Sequence, residues 1–330
     1  MCCRGKINVF LSMIEPGLGP VDSPRPQSQG MPPWTVACLT LLVTLFSFVF
    51  IGPFIGLAIA FPFYDGKPMD FVSDLANPIG NESMKMIYMT VQGCTTFFGL
   101  AVIPALVWKA MTHRPILGLF KGTQLKPIHF LIVTGIVFFY LGFISTLTEW
   151  NANIDLPDGP FENFAQSMEK QLSEVTKYLT SFSSVGQYLV GVLVIAILAG
   201  IGEEIVFRGL LQPELHKATG NIHFAIWTSA VFFSAMHVQF YGFVPRVFLG
   251  ALFGYLYYWS GNLILPMFAH FFNNFVAVTS IYFGWSDLPG VDTEKPESTP
   301  WYVVIIMTAI CAALIFFFQK QFKKTDDIRA

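Results

Sequence analysis

The chain has 330 residues, of which 54% are hydrophobic and only 12% are charged. Soluble domains carry about 25% charged residues, so this composition excludes an ordinary soluble protein and predicts a polytopic membrane protein surrounded by the lipid bilayer. The formal net charge of −2 supplies no basic surface for nucleic acid, and we expect no nucleic-acid partner.

Apolar runs along the chain predict an all-α fold, a polytopic membrane helix bundle with about eight transmembrane helices. The expected spans are residues 34–61, 86–108, 127–147, 184–217, 222–238, 241–259, 262–283 and 301–318. Between the third and fourth spans, residues 148–183 are polar, but apolar side chains recur there at steps of three and four. This spacing predicts an amphipathic helix that lies on the membrane surface or caps the bundle. The apolar side chains concerned are Phe161, Phe164, Met168, Leu172, Val175 and Leu179.

The same pattern divides the chain into four predicted regions. Residues 1–33 are rich in Pro, Gly and Ser and are expected to form a flexible N-terminal tail. Residues 34–183 hold the first transmembrane helices and the amphipathic segment, and residues 184–283 hold the helices with the polar motifs described below. Residues 284–330 hold the last transmembrane helix and a basic tail.

Loop charges predict how the bundle is oriented in the membrane. The loop between the second and third spans carries only basic charges, and the C-terminal tail is rich in lysine, whereas the loops after the first, third and seventh spans are acidic. Because basic loops stay in the cytoplasm, we expect both termini to be cytoplasmic. The basic loop residues are Lys109, Arg114, Lys121 and Lys126.

A cluster of charges interrupts the fourth span at Glu203, Glu204 and Arg208. Each charge at the centre of a membrane helix costs about 2.5–3.5 kcal/mol, so these residues indicate a functional site. Because residues four apart share a helix face, Arg208 is expected to form an ion pair with Glu204. Glu203 lies about 100° further round the helix and is left free to act as a base.

Three further polar side chains lie on later spans at a similar depth. His237 is near the end of the fifth span, and His270 and Asn274 share one face of the seventh. At about 1.5 Å per residue, Glu203 and His237 both lie roughly 20 Å from the turn between their helices, and Asn274 can approach the same level. Taken singly, each is more often a hydrogen-bonded packing residue, but together they predict one pocket within the membrane.

Two features of the sixth span are explained by helix packing and by the membrane interface, without a chemical role. Gly250 and Gly254 form a GxxxG pair, which predicts a close contact between helices. Arg246 is expected to be an interfacial residue whose side chain snorkels to the membrane surface. A role for Arg246 in binding a substrate carboxylate is the alternative.

The polar residue types suit hydrolysis of a peptide bond by water. Glu203 and His237 can bind and deprotonate the water, and His270 and Asn274 can donate hydrogen bonds to the oxyanion that forms. A zinc site is the alternative, with Glu203, His237 and His270 as ligands. The HExxH signature is absent, and none of the five cysteines lies in a CxxC pair, so we expect neither a disulfide framework nor a cysteine metal site.

Three motifs on successive spans resemble the CPBP (Abi) family of intramembrane proteases, which includes the type II CAAX prenyl endopeptidases. The motifs are Glu203-Glu204-xxx-Arg208, Phe233-xxx-His237 and His270-xxx-Asn274, and the resemblance covers about residues 184–283. It implies that Glu203 and His237 activate water. It also implies that His270 and Asn274 stabilise the oxyanion.

The resemblance further implies an intramembrane endopeptidase whose substrates are membrane-associated peptides or proteins. Glu204 and Arg208 are implied to support the site. A site without a cofactor is favoured, and zinc is the alternative. Because the chain shows no sign of a eukaryotic source, we do not transfer prenylated substrates to it and expect a multi-pass protein of the bacterial cytoplasmic membrane.

Two other functions fit part of the pattern. A transporter with a polar relay would pass protons along the carboxylates and histidines, but the two halves show no inverted repeat, and the polar residues cluster only after residue 200. A non-enzymatic immunity protein, or another peptide-binding membrane protein, would keep the fold without hydrolysis. The variant Glu203→Gln separates this second function from an enzyme, because only turnover needs the carboxylate.

Overall fold

The computed structural model describes residues 31–76, 81–285 and 299–326, with side chains described up to residue 322. Within these ranges the chain forms helices and no β-strand, which confirms the predicted all-α class. Residues 1–30 of the predicted flexible tail lie outside the described residues. So do most of the acidic loop after the seventh predicted span and the side chains of the basic C-terminal tail.

Ten helices are numbered here in chain order. They are α1 (Pro33–Phe63), α2 (Phe71–Ala76), α3 (Glu82–Thr112), α4 (Pro127–Ala152), α5 (Pro160–Thr180), α6 (Val185–Thr219), α7 (Ile222–Ala235), α8 (Phe243–Ser260), α9 (Ile264–Phe283) and α10 (Trp301–Asp326).

Six of these helices, α1, α3, α4, α6, α9 and α10, are long and apolar enough to cross a membrane. The other two predicted spans correspond to α7 and α8. Helix α7 has only 14 residues, or about 21 Å, which is shorter than the roughly 30 Å hydrocarbon core of a bilayer. Helix α8 carries Arg246 and three tyrosines and is not apolar enough. Neither helix therefore has both the length and the composition of a membrane-crossing helix.

The amphipathic helix predicted within residues 148–183 is α5. Its side chains Ala165, Tyr178 and Leu179 are buried. Phe161, near its start, contacts the ring of Phe240 in the α7–α8 turn, with the ring centroids 5.9 Å apart. Helix α5 thus passes over that turn, so the structure favours the interpretation in which this helix caps the bundle.

Helix α6 is central, because it packs against α1, α3, α7 and α9. Two stretches of π-helix, Val192–Leu198 and Ile205–Leu211, flank the six α-helical residues Ala199–Glu204. A Cβ atom added at Gly200 would lie 2.8 Å from the backbone nitrogen of Phe271, so only glycine lets α6 and α9 approach this closely. This contact brings the charged residues of α6 next to α9.

Helix α6 ends at Gly220 and Asn221, in the gap between the fourth and fifth predicted spans. Gly220 has a φ of 67°, the left-handed conformation that ends many helices. The side chain of Asn221 then accepts a hydrogen bond from the backbone N–H of Phe224 and caps α7. These two residues reverse the chain so that α7 returns alongside α6.

Candidate active site

The predicted ion pair between Glu204 and Arg208 is present at the centre of α6. Arg208 Nη1 donates to Glu204 Oε1 at 2.7 Å, and both side chains are fully buried. Arg208 Nη2 donates to the backbone carbonyl of Gly250 in α8 at 2.6 Å. The pair is therefore both an intrahelical contact and a link between α6 and α8.

The close helix contact predicted from Gly250 and Gly254 also occurs here. A Cβ added at Gly250 would lie 3.0 Å from the Phe233 ring and 3.1 Å from Arg208 Nη2. The Arg208 guanidinium also lies over the rings of Phe233 and Phe253, 4.9 and 5.6 Å from their centroids. Aromatic faces attract cations, so this cage stabilises the buried charge.

His270 lies beside this pair and between the two carboxylates. Its Nδ1 is 2.9 Å from Glu204 Oε1, and because an ionised carboxylate only accepts hydrogen bonds, Nδ1 is the donor. The imidazole stacks on Phe253 with the ring centroids 5.1 Å apart. Its Nε2 faces Glu203 Oε2 at 3.8 Å, which is too long for a direct hydrogen bond.

Of the carboxylates of Glu203 and Glu204, that of Glu203 is the one that Arg208 does not bind. Its Oε2 atom is buried and has no hydrogen-bond partner in the described part of the chain, and 16% of its side chain is exposed. Glu204, by contrast, is bound by Arg208 and His270 through one oxygen. The structure thus agrees with the sequence-based expectation that Arg208 engages one carboxylate and leaves the other free.

His237 lies just after α7 and reaches the same aromatic side chain as His270. Its Nδ1 is 3.0 Å from the carbonyl of Phe233, so Nδ1 donates and Nε2 of the neutral ring is the acceptor. The Phe233 ring contacts both imidazoles, with centroid distances of 5.2 Å to His237 and 5.7 Å to His270. Within the described residues, no hydrogen bond joins His237 to Glu203.

Asn274 lies one turn after His270 on α9. Its Nδ2 donates to the carbonyl of Ile195 at 3.0 Å, within the first π-helical stretch of α6. Its Oδ1 accepts a hydrogen bond from Asn273 at 3.2 Å. Because an amide nitrogen carries two hydrogens, one donor of Asn274 remains for another acceptor.

The zinc alternative needs at least three protein ligands close together. Among the described residues, no group of three or more His, Cys, Asp or Glu side chains could hold a metal ion. Glu203, His237 and His270 therefore do not form a three-ligand set in this structure, as a zinc site requires.

The turn after α7 holds side chains whose function the sequence did not indicate. Val238, next to His237, has a φ of 53°, which is unusual for a β-branched residue and stores roughly 1–3 kcal/mol of strain. Asn151 of α4 donates to the carbonyl of Phe240 at 3.2 Å and accepts from the N–H of Val244 at 2.8 Å. The sequence signal that could have indicated this role of Asn151 is an asparagine near the end of an apolar helix.

Arg246 also contacts this turn instead of extending to the membrane surface. Its Nη1 and Nη2 donate to the side-chain and backbone oxygens of Gln239, both at 3.0 Å. The Gln239 side chain in turn donates to Glu169 of α5 at 3.1 Å. The snorkelling predicted for Arg246 is therefore wrong, because Gln239 offers two acceptors nearby.

Comparisons with known proteins agree with the position of this site. Residues 185–276 match the family described as type II CAAX prenyl endopeptidase Rce1-like. The uncharacterized protein YpbD of Bacillus subtilis (strain 168) is 31% identical over 96 residues, which are 28% of this chain and 46% of that relative. The chain thus spans about half the length of the curated relative that it matches, and no solved structure matches it.

The matched segment contains every candidate site residue. All three motifs fall within residues 185–276, which is close to the predicted extent of 184–283. The predicted resemblance is thereby confirmed over that segment. Residues 185–276 are thus similar to the Rce1-like family, a family of CAAX prenyl endopeptidases, which are enzymes.

Proposed function

We propose that this protein is an intramembrane endopeptidase that hydrolyses peptide bonds of membrane-associated substrates. Glu203 and His237 activate a water molecule by accepting its proton. The resulting hydroxide attacks the carbonyl carbon of the scissile bond and forms a tetrahedral oxyanion. The carbon–nitrogen bond then breaks, and the abstracted proton passes to the leaving amine.

One observation carries this proposal. Among the described residues, Glu203 Oε2 and Glu204 Oε2 are both buried without a hydrogen-bond partner, but Glu204 is bound through its other oxygen by Arg208 and His270. Glu203 Oε2 lies 3.8 Å from His270 Nε2. A buried carboxylate oxygen left without a partner is unfavourable, and it is retained where a reacting group binds it. A water oxygen is of the right size to bond both groups across this distance.

The contacts of the other site residues support their proposed roles. His237 Nδ1 donates a hydrogen bond to the Phe233 carbonyl, so Nε2 remains to accept a proton. Glu204 orients His270 by accepting its Nδ1–H, so His270 can donate to an oxyanion through Nε2 only when both ring nitrogens carry a hydrogen, and Asn274 keeps one N–H for the oxyanion. The site residues reach this region on α6, α9 and the α7–α8 turn.

The membrane context limits the class of substrate. Helices α6 and α9, which carry Glu203 and His270, are long and apolar enough to cross a membrane, and this supports a peptide substrate that is held by or inserted in the lipid bilayer. We propose that both termini are cytoplasmic and that the protein acts in a bacterial cytoplasmic membrane. The all-basic loop between α3 and α4 supports this orientation.

The first experiment is cleavage of a membrane-anchored peptide library by purified protein in detergent. Wild type is compared with Glu203→Gln, with His237→Ala and with Glu174→Gln, which changes an exposed carboxylate on α5. Each protein is assayed with and without a metal chelator. We expect both site variants to lower kcat by about 10²–10⁴, because general bases contribute that much. The α5 variant and the chelator are expected to change little.

Other results would change the assignment in specific ways. Loss of cleavage on chelation, with recovery on adding zinc, would turn Glu203 and the histidines into metal ligands. Absence of cleavage by the wild-type protein, together with peptide binding that survives in Glu203→Gln, would favour a non-enzymatic immunity or peptide-binding protein.

A further inference from the structure

The turn that carries His237 is held in a strained conformation by residues from other helices. His237 and Val238 begin the turn between α7 and α8, and Val238 has a positive φ of 53°. An L-residue with a branched Cβ leaves such a conformation unless the surrounding contacts enforce it. The orientation of the His237 imidazole therefore depends on what holds this turn.

Gln239, the next residue, is fixed by three hydrogen bonds at once. Arg246 donates one bond to its side-chain oxygen and one to its backbone oxygen, both at 3.0 Å. The side-chain nitrogen of Gln239 donates to Glu169 Oε1 at 3.1 Å. The arginine thus restrains both the backbone and the side chain of one residue, two positions after His237.

The arginine lies against the turn and not only beside Gln239. A Cβ added at Gly242 would lie 2.7 Å from Arg246 Nη2, so the guanidinium occupies the space that a side chain would take there. Arg246 also has no carboxylate bound to it among the described residues. Arg208 and Arg114, by contrast, pair with Glu204 and Glu214.

These contacts depend on the shape of the guanidinium more than on its charge. Its two Nη groups reach two oxygens of Gln239 simultaneously, which the single ammonium of lysine does not reproduce. Both acceptors are neutral, and the carboxylates of Glu169 and Glu203 interact with the guanidinium charge without forming an ion pair with it among the described residues. This distinguishes a geometric role from a purely electrostatic one.

We propose that Arg246 and Gln239 are positioning residues that hold the His237 turn in its reactive conformation, with Glu169 of α5 at the outer end of the same hydrogen-bonded chain. The inference rests on the proposed function, since it concerns the histidine that accepts the proton. None of the three residues touches the reacting atoms. They act on His237 through the backbone of the turn.

The kinetic test compares Arg246→Lys, Arg246→Met and Gln239→Met in the cleavage assay, using the peptide that wild type cleaves fastest. We expect all three to lower kcat about tenfold or more while KM changes less than about threefold, because misplaced catalytic groups slow the chemical step. The double variant Arg246→Met with Gln239→Met is expected to be no slower than the slower single variant. If Arg246→Lys keeps wild-type kcat, the charge of Arg246 matters and the proposal is overturned.

A charge exchange tests the outer contact without removing any side chain. Gln239→Glu keeps both acceptors for Arg246 but sets a second carboxylate against Glu169, so kcat is expected to fall. Adding Glu169→Gln restores a donor to this contact and is expected to recover most of the lost rate. Failure of the second change to rescue the first would overturn the assignment of Glu169.

A spectroscopic measurement separates failure of this inference from failure of the proposed function. In ¹⁵N-histidine-labelled protein, the His237 signals, assigned by their loss in His237→Ala, report whether Nδ1 carries the proton that it donates to Phe233. We expect Gln239→Met to shift these signals while helix content and melting temperature stay unchanged. Unchanged His237 signals would overturn the positioning role, even if the protein cleaves no peptide.

Discussion

Arg208 is a fully buried arginine whose charge is balanced by contacts from three helices. Glu204 supplies a carboxylate from the same helix, Gly250 supplies a backbone carbonyl from α8, and Phe233 supplies an aromatic face from α7. A buried ion pair adds little net stability by itself, because desolvation offsets the attraction. Breaking one half of it is nonetheless costly, since the other charge remains buried.

We expect Arg208→Met to lower the free energy of unfolding by about 3–5 kcal/mol, because it leaves the Glu204 carboxylate buried without its cation. The measurement is denaturant unfolding of the purified protein in detergent micelles. Glu174→Gln, at an exposed position of α5, is the control. A loss below about 1 kcal/mol for Arg208→Met would contradict the expectation.

A double variant tests whether the Glu204–Arg208 ion pair itself stabilises the fold. Glu204→Leu combined with Arg208→Met is expected to destabilise the protein less than Arg208→Met alone, because apolar replacement of both partners leaves no unpaired charge. A double variant less stable than Arg208→Met alone would show that the pair itself stabilises the fold.

At the scale of elements, helix α5 is attached to the bundle by buried polar contacts at its C-terminal end. Lys85 of α3 is only 1% exposed, and its ammonium donates to the Ser181 carbonyl at 2.7 Å. Tyr178 donates to the carbonyl of Asn81 at 2.6 Å. Burial raises the pKa of Tyr178 to about 12, so its hydroxyl stays protonated and able to donate at neutral pH.

Removing the ammonium should loosen α5 without unfolding the bundle. We expect Lys85→Met to speed amide hydrogen exchange in α5 about tenfold, since a hydrogen bond from a charged donor contributes about 1.5–3 kcal/mol. Exchange in α4 is expected to stay unchanged. Lys170→Met, at an exposed position of α5, is the control. Equal acceleration in α4 would indicate global destabilisation instead.

At the scale of the whole molecule, the orientation in the membrane follows from the charges of the loops. In a cysteine-free background, Gln124→Cys labels the loop between α3 and α4, and Asp158→Cys labels the loop between α4 and α5; both positions are exposed. We expect an impermeant maleimide to modify Asp158→Cys on intact cells and Gln124→Cys only after permeabilisation, because basic loops stay in the cytoplasm. The reverse pattern would contradict the proposed orientation.

The helices and the Glu204–Arg208 pair could be predicted from the sequence because both depend on local spacing. The π-helical stretches of α6 could not, since packing against neighbouring helices decides where a turn widens. The hydrogen bonds of Gln239 could not be predicted from the sequence either. Its partners Glu169 and Arg246 lie 70 and 7 residues away along the chain, and no periodic pattern connects them.

The shortness of α7 has a consequence for the surrounding lipid. A helix of 14 residues is about 9 Å shorter than a typical hydrocarbon core, and bilayers respond to such mismatch by thinning locally. Thinning would bring headgroups and water closer to His237, where the proposed hydrolysis needs water. Proteoliposomes made from short-chain lipids should therefore support faster cleavage than those made from long-chain lipids at equal protein content, and equal rates would mean that water reaches the site through the protein.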